Sequence, residues 1–484
     1  MASLNDRIEG VLLGTAVGDA LGAPYEFQPP RGPELPVVME GGGPWGPGEW
    51  TDDTAMAVAI AEVAATGADL RDVHAQDVLV KRWYGWSLTS KDVGIQTRNV
   101  LSTANRGSGI TAERCRTAAR ALHEQTGRTA GNGSLMRTAP VALAYLDDED
   151  AMAEAARALS ELTHLDPEAG DAVVLWCSAI RHAVLTGVLD VRVGMGHIPA
   201  ARQRLWQQRL DAAEAGRPAD FPHNGWVVSA LQAAWCAIAT TAVPQNDPAA
   251  GTYRADHLRL ALDAAVRAGF DTDTVAAIAG GLLGAAYGAS AVPVQWRTLL
   301  HGWPGIRAHE LVALAAAIAR KGAADRFDGY ASQRFGVLAQ HPYDAQVLLG
   351  DVGALRSLPD GVDAVVSMCR LLPTDMRRDI PHAEVRLIDI TTPDENPHLD
   401  FVLLEAVKTI ETFRAQGRTV LLHCVGAYSR TPTVGALYGA RLRGVSSEEA
   451  LADVLDVLPD ANPNSVFRKA LQRLIPSNQR KDHG

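Results

Sequence analysis

Two short acidic clusters dominate the chemistry this sequence can offer. Trp50-Thr51-Asp52-Asp53-Thr54 and Asp271-Thr272-Asp273-Thr274 each set carboxylates and hydroxyls directly before a long apolar, alanine-rich run. A polar cap followed by such a run reads as a helix N-terminus. Neighbouring carboxylates repel and are costly to bury together without cations, and one helix terminus supplies only about half a positive charge. Hard divalent ions take oxygen ligands, so Mg²⁺ or Mn²⁺ between the two clusters would let both share one cleft. Either cluster alone would more often serve as an ordinary helix cap; the repetition sets the metal reading level with that one.

The elements that must position these groups are helical. Residues 8–22 carry Gly10, Gly14, Gly18 and Gly22 one turn apart. Glycine weakens an isolated helix, so this face implies close helix packing or a closely approaching ligand. Asp19 lies on the same stretch as a candidate substrate contact. The Gly- and Pro-rich segment from Pro29 to Trp50 is a long loop of the kind that forms lids, with Glu26 at its start as a lid carboxylate or a solvated loop residue. Apolar spacing of three to four predicts helices over 54–65, 111–123, 151–162, 171–186, 226–240, 257–268 and 307–320. Between them fall Asp92, the turn Gly131-Asn132-Gly133-Ser134-Leu135-Met136-Arg137, whose amides can form an anion-binding nest, and Thr163-His164.

Taken together, residues 8–26, Thr51–Thr54, Gly131–Arg137 and Asp271–Thr274 resemble the ADP-ribosylglycohydrolase family over roughly residues 5–320, with the motifs in family order. The resemblance implies an all-helical fold and two Mg²⁺ or Mn²⁺ ions. Thr51, Asp52 and Asp53 would hold them from one side and Asp271, Asp273 and Thr274 from the other, with Asp52 and Asp53 part of the catalytic centre. Glu26 matches a mobile carboxylate that covers the site. Asp92 matches an aspartate that faces the guanidinium end in arginine-directed members. Gly131, Asn132, Gly133, Ser134 and Arg137 match the loop against ADP-ribose, and His164 lies near the cleft. The family more often has a small pair where this chain has Gly269-Phe270; Phe270 packs on substrate or on a neighbouring helix. The implied substrate is ADP-ribose on a protein or small molecule, with arginine the first choice of acceptor. The alternative is an ADP-ribose or nucleotide receptor or scaffold with one or both sites inactive.

Beyond about residue 325 the pattern changes. Segments 363–368, 384–389 and 419–423 are β-rich, with a helix at about 399–415, which reads as a small α/β domain around a mainly parallel sheet. His423-Cys424-Val425-Gly426-Ala427-Tyr428-Ser429-Arg430-Thr431 follows a strand and precedes a helix. This His-Cys-(five residues)-Arg-Thr signature resembles the phosphate loop of cysteine phosphatases, and residues 335–475 are similar to a dual-specificity phosphatase. The resemblance implies Cys424 as nucleophile, favoured as thiolate by a helix N-terminus and an arginine. Arg430 would fork the phosphoryl oxygens, Thr431 would assist breakdown of the phosphocysteine, and Asp394 would be the general acid, with Asp389 as rival. The family usually has glycine where this chain has Ala427. The expected architecture is multidomain: a helical domain over 1–325, a linker over 326–336 and the α/β domain over 337–484.

The net charge of −11 supplies no basic excess to displace counterions from a nucleic-acid backbone, so nucleic acid is not an expected partner; a phosphorylated substrate is, for the second domain. Five scattered cysteines form no CxxC pair, which points to neither a disulfide framework nor a zinc site. Without a leader or a long uninterrupted apolar stretch, the expectation is a soluble cytoplasmic protein with no membrane partner.

Overall fold

The computed structural model describes residues 3–475 except 108, 332, 334, 386, 393 and 394. From Leu4 to Ala319 the chain is helical apart from turns and one two-residue ribbon, β1 (His301–Gly302) antiparallel to β2 (Ile306–Arg307). The alanine-rich runs form helices Asp52–Ala64, Ala112–Thr126, Glu149–Ser160, Pro167–Thr186 and Val227–Thr240.

The centre of this domain is the pairing of helix Leu4–Gly22 with helix Thr272–Tyr287. The glycine face resolves as helix packing rather than ligand approach. A Cβ on Gly10 would lie 2.2 Å from the Gly284 carbonyl oxygen, one on Gly14 2.2 Å from that of Gly280, and one on Gly18 2.0 Å from that of Ala276. Only residues without a side chain let two backbones approach this closely. The seam also fixes the register of the second acidic cluster, because Thr272 Oγ1 donates to the Gly22 carbonyl at 2.9 Å.

The second domain is a five-stranded sheet in the order β3-β4-β7-β5-β6, with β3 Leu338–His341, β4 Asp344–Gly350, β5 Ala364–Ser367, β6 His382–Glu384 and β7 Val420–His423. β4, β7, β5 and β6 run parallel, and β3 pairs antiparallel with β4. The sheet is therefore mixed; β3 and β4 were not expected from sequence, and of the expected strand 384–389 only Glu384 falls in a strand, β6, among the described residues. Helix Leu399–Ala415 packs on it, and helix Arg430–Arg443 starts where the loop after β7 ends.

The two domains are joined by polar contacts. His398 Nε2 lies 2.9 Å from the Tyr287 carbonyl, Val294 N–H donates to Glu405 at 3.2 Å, His309 Nδ1 faces Glu384 at 3.0 Å, and Arg378 and Arg370 pair with Glu310 and Asp325. No described helix is long and apolar enough to cross a membrane. The five cysteines are free and buried.

Candidate functional site

The N-termini of helices Asp52–Ala64 and Thr272–Tyr287 meet at one cleft. Thr51 binds across it, donating from Oγ1 to Asp53 Oδ2 at 3.0 Å and reaching Asp273 Oδ2 at 3.4 Å. Asp19, Asp53 and Asp273 each bring an oxygen within 4.8 Å of the others, and so do Glu26, Asp271 and Asp273. Asp53 Oδ1 is buried without any hydrogen-bond partner. Burial first, then the neighbouring carboxylates, push Asp52 up to about 7 and Glu26 to about 8, and raise Asp53 and Asp273 well above the usual range. The fold thus crowds carboxyl groups whose ionised form it does not itself compensate. An all-oxygen donor set with an orphaned carboxylate oxygen fits hard divalent cations.

Several residues take places that their sequence context did not reveal. Asp19, expected against substrate, is fully buried and caps the neighbouring helix. Its Oδ1 accepts from Thr51 N–H at 2.9 Å, and its Oδ2 from Thr54 N–H at 2.9 Å and Thr54 Oγ1 at 2.6 Å. Arg137, expected along ADP-ribose, is also enclosed. Its guanidinium stacks 4.1 Å from the Trp83 ring centroid and donates to Thr163 Oγ1 at 2.7 Å. Burial lowers it to about 9.

Thr163 Oγ1 in turn lies 2.7 Å from His164 Nδ1. Thr163 Oγ1 thus links the Arg137 guanidinium to the imidazole. Burial lowers the His164 pKa, which keeps the ring neutral. The ring lies under the glycine turn: a Cβ at Gly131 or Gly133 would stand 3.3 or 3.1 Å from Nε2. In that turn Asn132 Nδ2 donates to Asp271 Oδ2 at 2.8 Å, and the Ser134 hydroxyl is buried without a partner.

Asp92 is half-buried on the opposite wall, its Oδ1 accepting from Val93 N–H at 2.7 Å. Gly94 N–H donates to Asp52 Oδ2 at 3.3 Å. Phe27 and Phe270 form the rim. Both have positive φ, +61° each, and they bond across it, Phe27 N–H to Phe270 O at 2.6 Å and Phe270 N–H to Gln28 O at 2.7 Å. Further bonds from Arg31 and Arg267 and between Tyr25 and Val38 tie down the loop expected to act as a lid. Asn224 escaped the sequence reading. It is buried, accepts from Asp271 N–H at 3.1 Å and donates to Gly269 O at 2.8 Å, an orienting role with no local signature.

In the second domain Cys424 leaves the carboxyl end of β7, where parallel α/β sheets place their sites. Arg430 Nη1 donates to Met368 O at 2.8 Å and Leu387 O at 3.1 Å, while its buried Nε has no hydrogen bond. Asp389 Oδ2 is 3.9 Å from that Nε. Asp394 lies outside the described residues. Thr431 Oγ1, expected to serve phosphocysteine breakdown, is buried and directed at Gly350 O at 3.3 Å. Ala427 has φ +53°, a left-handed conformation that favours glycine, whereas a Cβ at the adjacent Gly426 would meet nothing within 4 Å. Asn464, also missed from sequence, braces the loop through Ser429 Oγ at 3.2 Å and Asp389 Oδ1 at 3.0 Å.

The ADP-ribosylglycohydrolase family model matches residues 1–326. The ADP-ribosylarginine hydrolase Tri1 of Pseudomonas putida is 31% identical over 300 residues, covering 60% of this chain and 73% of that protein. The dual specificity protein phosphatase 1 of Arabidopsis thaliana is 33% identical over 104 residues, covering 22% of this chain and 50% of that protein. Among solved structures, an ADP-ribosylglycohydrolase-related protein complex is 29% identical and covers 66% of this chain and 99% of its own, with a TM-score of 0.47.

Proposed function

The chain belongs to the ADP-ribosylglycohydrolase family, and from that premise we propose that its first domain hydrolyses the bond between ADP-ribose and an arginine side chain with the help of two divalent cations. The observation that carries this reading is the buried carboxylate cleft with Asp53 Oδ1 left unpartnered. Thr51, Asp52 and Asp53 would hold Mg²⁺ or Mn²⁺ from one side, Asp271, Asp273 and Thr274 from the other. Bound there, the ions would supply fixation of the ribose hydroxyls and a more acidic water. The reaction replaces the bond from the anomeric carbon to the guanidine nitrogen by one to water oxygen, and the leaving nitrogen takes a proton.

The chain's own groups serve the remaining needs. Glu26 borders the cleft, and the carboxylates around it favour positive charge developing on the sugar. The amides of residues 131–134 offer a cradle to pyrophosphate. Asp92 offers a carboxylate to the departing guanidinium, and the arginine linkage named for the Pseudomonas relative favours that acceptor. The experiment is release of free ADP-ribose from an ADP-ribosylated arginine peptide. It should vanish with chelator, return with Mg²⁺ or Mn²⁺, and fall at least 100-fold in Asp53→Asn and Asp273→Asn. Full activity without metal would refute the cation role, and binding without release would make the domain a receptor.

For the second domain we propose a cysteine phosphatase, with Cys424 Sγ attacking phosphorus, the leaving oxygen protonated by an aspartate, and water freeing the phosphocysteine. The Cys424-to-Arg430 spacing supports it. Ala427 in a left-handed conformation favours a second reading, a loop that binds phosphate with little turnover. Phosphate release abolished by Cys424→Ser would decide for catalysis. We place the division at residue 325 with 326–336 as linker; a fragment ending at Asp325 that folds yet releases no ADP-ribose would move it.

A further inference from the structure

Three side chains outside the cysteine signature or at its edge form a buried polar row beside Cys424. Ser367 closes β5 and pairs in register with His423 of β7. Its Oγ lies 2.5 Å from His423 Nε2 and 2.6 Å from Nε2 of His382, the first residue of β6. At the two ends of the row, His382 Nδ1 faces Arg377 N–H at 2.9 Å, and His423 Nδ1 faces the Cys424 carbonyl oxygen at 3.3 Å.

Those ends fix the protons between them. A backbone N–H only donates, so His382 Nδ1 is bare. Burial brings His382 down to about 3 and His423 down to about 4, so both rings are neutral near neutral pH. The His382 ring therefore carries its proton on Nε2 and donates it to Ser367 Oγ. A carbonyl oxygen only accepts, so His423 carries its proton on Nδ1 and leaves Nε2 bare. The Ser367 hydroxyl then donates to that Nε2. Every donor points one way, from Arg377 through His382, Ser367 and His423 to the carbonyl of Cys424. Glu384, His309 and the Arg377 side chain act on His382 by charge, and Asp351, Arg430 and Asp375 act on His423, but among the described residues none of these side chains takes a ring nitrogen.

With the direction reversed, His423 Nδ1 and the Cys424 carbonyl would be two buried acceptors facing each other, which is costly. The Ser367 proton on Nε2 prevents that arrangement. The negative end of the Cys424 peptide is then engaged by a donor instead of standing free beside the sulfur. We propose that Ser367 and His382 are positioning residues for the cysteine loop, acting on Cys424 through His423. This rests on the phosphatase reading of that loop and deepens it. Neither residue belongs to the Cys424-to-Arg430 signature. The row begins on β6, the strand whose Glu384 meets His309 of the first domain at 3.0 Å.

The test is alkylation of Cys424 by iodoacetamide in the full chain, read by mass spectrometry of its peptide, because the thiolate is the reacting form. Ser367→Ala should slow it about threefold or more at pH 5.5 and come within about twofold of the parent at pH 9, where thiolate is plentiful in both. Two amides separate the roles of His382. A glutamine amide reaches the place of Nε2 and keeps the donor to Ser367, so His382→Gln should alkylate like the parent. An asparagine amide reaches only the place of Nδ1, so His382→Asn should behave like Ser367→Ala. The double variant Ser367→Ala/His382→Asn should be no slower than either alone, because both break one chain. If Ser367→Ala fails to fold, the two His382 variants decide alone. Rates unchanged by Ser367→Ala and His382→Asn, equal losses in the Asn and Gln variants, or the same loss at both pH values would overturn the proposal. Alkylation reads the sulfur without turnover, so a parent that releases no phosphate would refute the phosphatase while these rates still decide the row.

Discussion

Gly14→Ala puts the backbone seam beneath the acidic cleft to a direct test. The added methyl would stand 2.2 Å from the Gly280 carbonyl oxygen and 3.0 Å from its carbonyl carbon. Cβ atoms essentially never come within 3.0 Å of such a neighbour, so the two helices must part by about 0.8 Å, and both obstructing atoms are backbone that cannot swing aside. Overpacking of this kind typically costs about 1–3 kcal/mol, while alanine recovers up to about 1 kcal/mol of helix propensity. The expected net loss is about 1–2 kcal/mol of stability. The displacement also travels, because Gly22 holds Thr272 and Asp19 caps the helix that presents Asp52 and Asp53. Misplacement by about 1 Å can cost about 100-fold in rate, so ADP-ribose release should drop by about 10- to 100-fold. The assay pairs thermal melting with turnover at saturating Mg²⁺. Gly85→Ala is the control: its Cβ would meet nothing within 4 Å inside helix Val73–Ser87, so it should stabilise by about 0.5–1 kcal/mol and leave turnover unchanged. If Gly14→Ala melts with its parent and turns over normally, the seam does not position the cleft.

Other expectations concern charge and strain. Asp52 near 7 and Glu26 near 8, against ordinary values of 3.8 and 4.5, mean that the metal-free fold holds protons the unfolded chain releases. Its stability should therefore fall as pH rises from about 4 through 8, and Mg²⁺ should flatten the loss; a metal-free melting temperature that climbs from pH 5 to 8.5 would contradict this. Asp92→Asn should lower turnover of arginine-linked ADP-ribose at least tenfold more than that of serine-linked ADP-ribose, and equal losses would show that Asp92 does not read the acceptor. Ala427→Gly should relieve about 1–2 kcal/mol of left-handed strain and raise both melting temperature and aryl-phosphate turnover; lower values of either would mean that the loop depends on the methyl group.

What could be read from the sequence was whatever is local. An acidic pair before an apolar run announces a helix N-terminus wherever it occurs, and glycines one turn apart announce a close approach. Tertiary partners leave no such mark. Asp19 reads as a substrate contact until Thr51 and Thr54, 32 and 35 residues on, are seen to engage it. Arg137 reads as part of the loop against ADP-ribose until Trp83 is seen to cover it. Asn224 and Asn464 carry no pattern at all, since each is defined by the loops it joins. β3 and β4 were missed for another reason: much of Leu338–His341 and Asp344–Gln346 faces solvent, so the apolar alternation that marks a strand is weak.

The Thr272–Tyr287 helix has sixteen residues, a rod about 24 Å long at 1.5 Å per residue. One end carries the second acidic cluster; the other offers the Tyr287 carbonyl to His398 of the fused domain. Among the described residues, the hydrogen bonds and ion pairs between domains fall on Tyr287, Val294, His309, Glu310 and Asp325, none of which lines the carboxylate cleft. The appended domain is thus mounted at the blunt end of the rod. The residues that hold the appended domain can therefore change without any residue of the acidic end being altered.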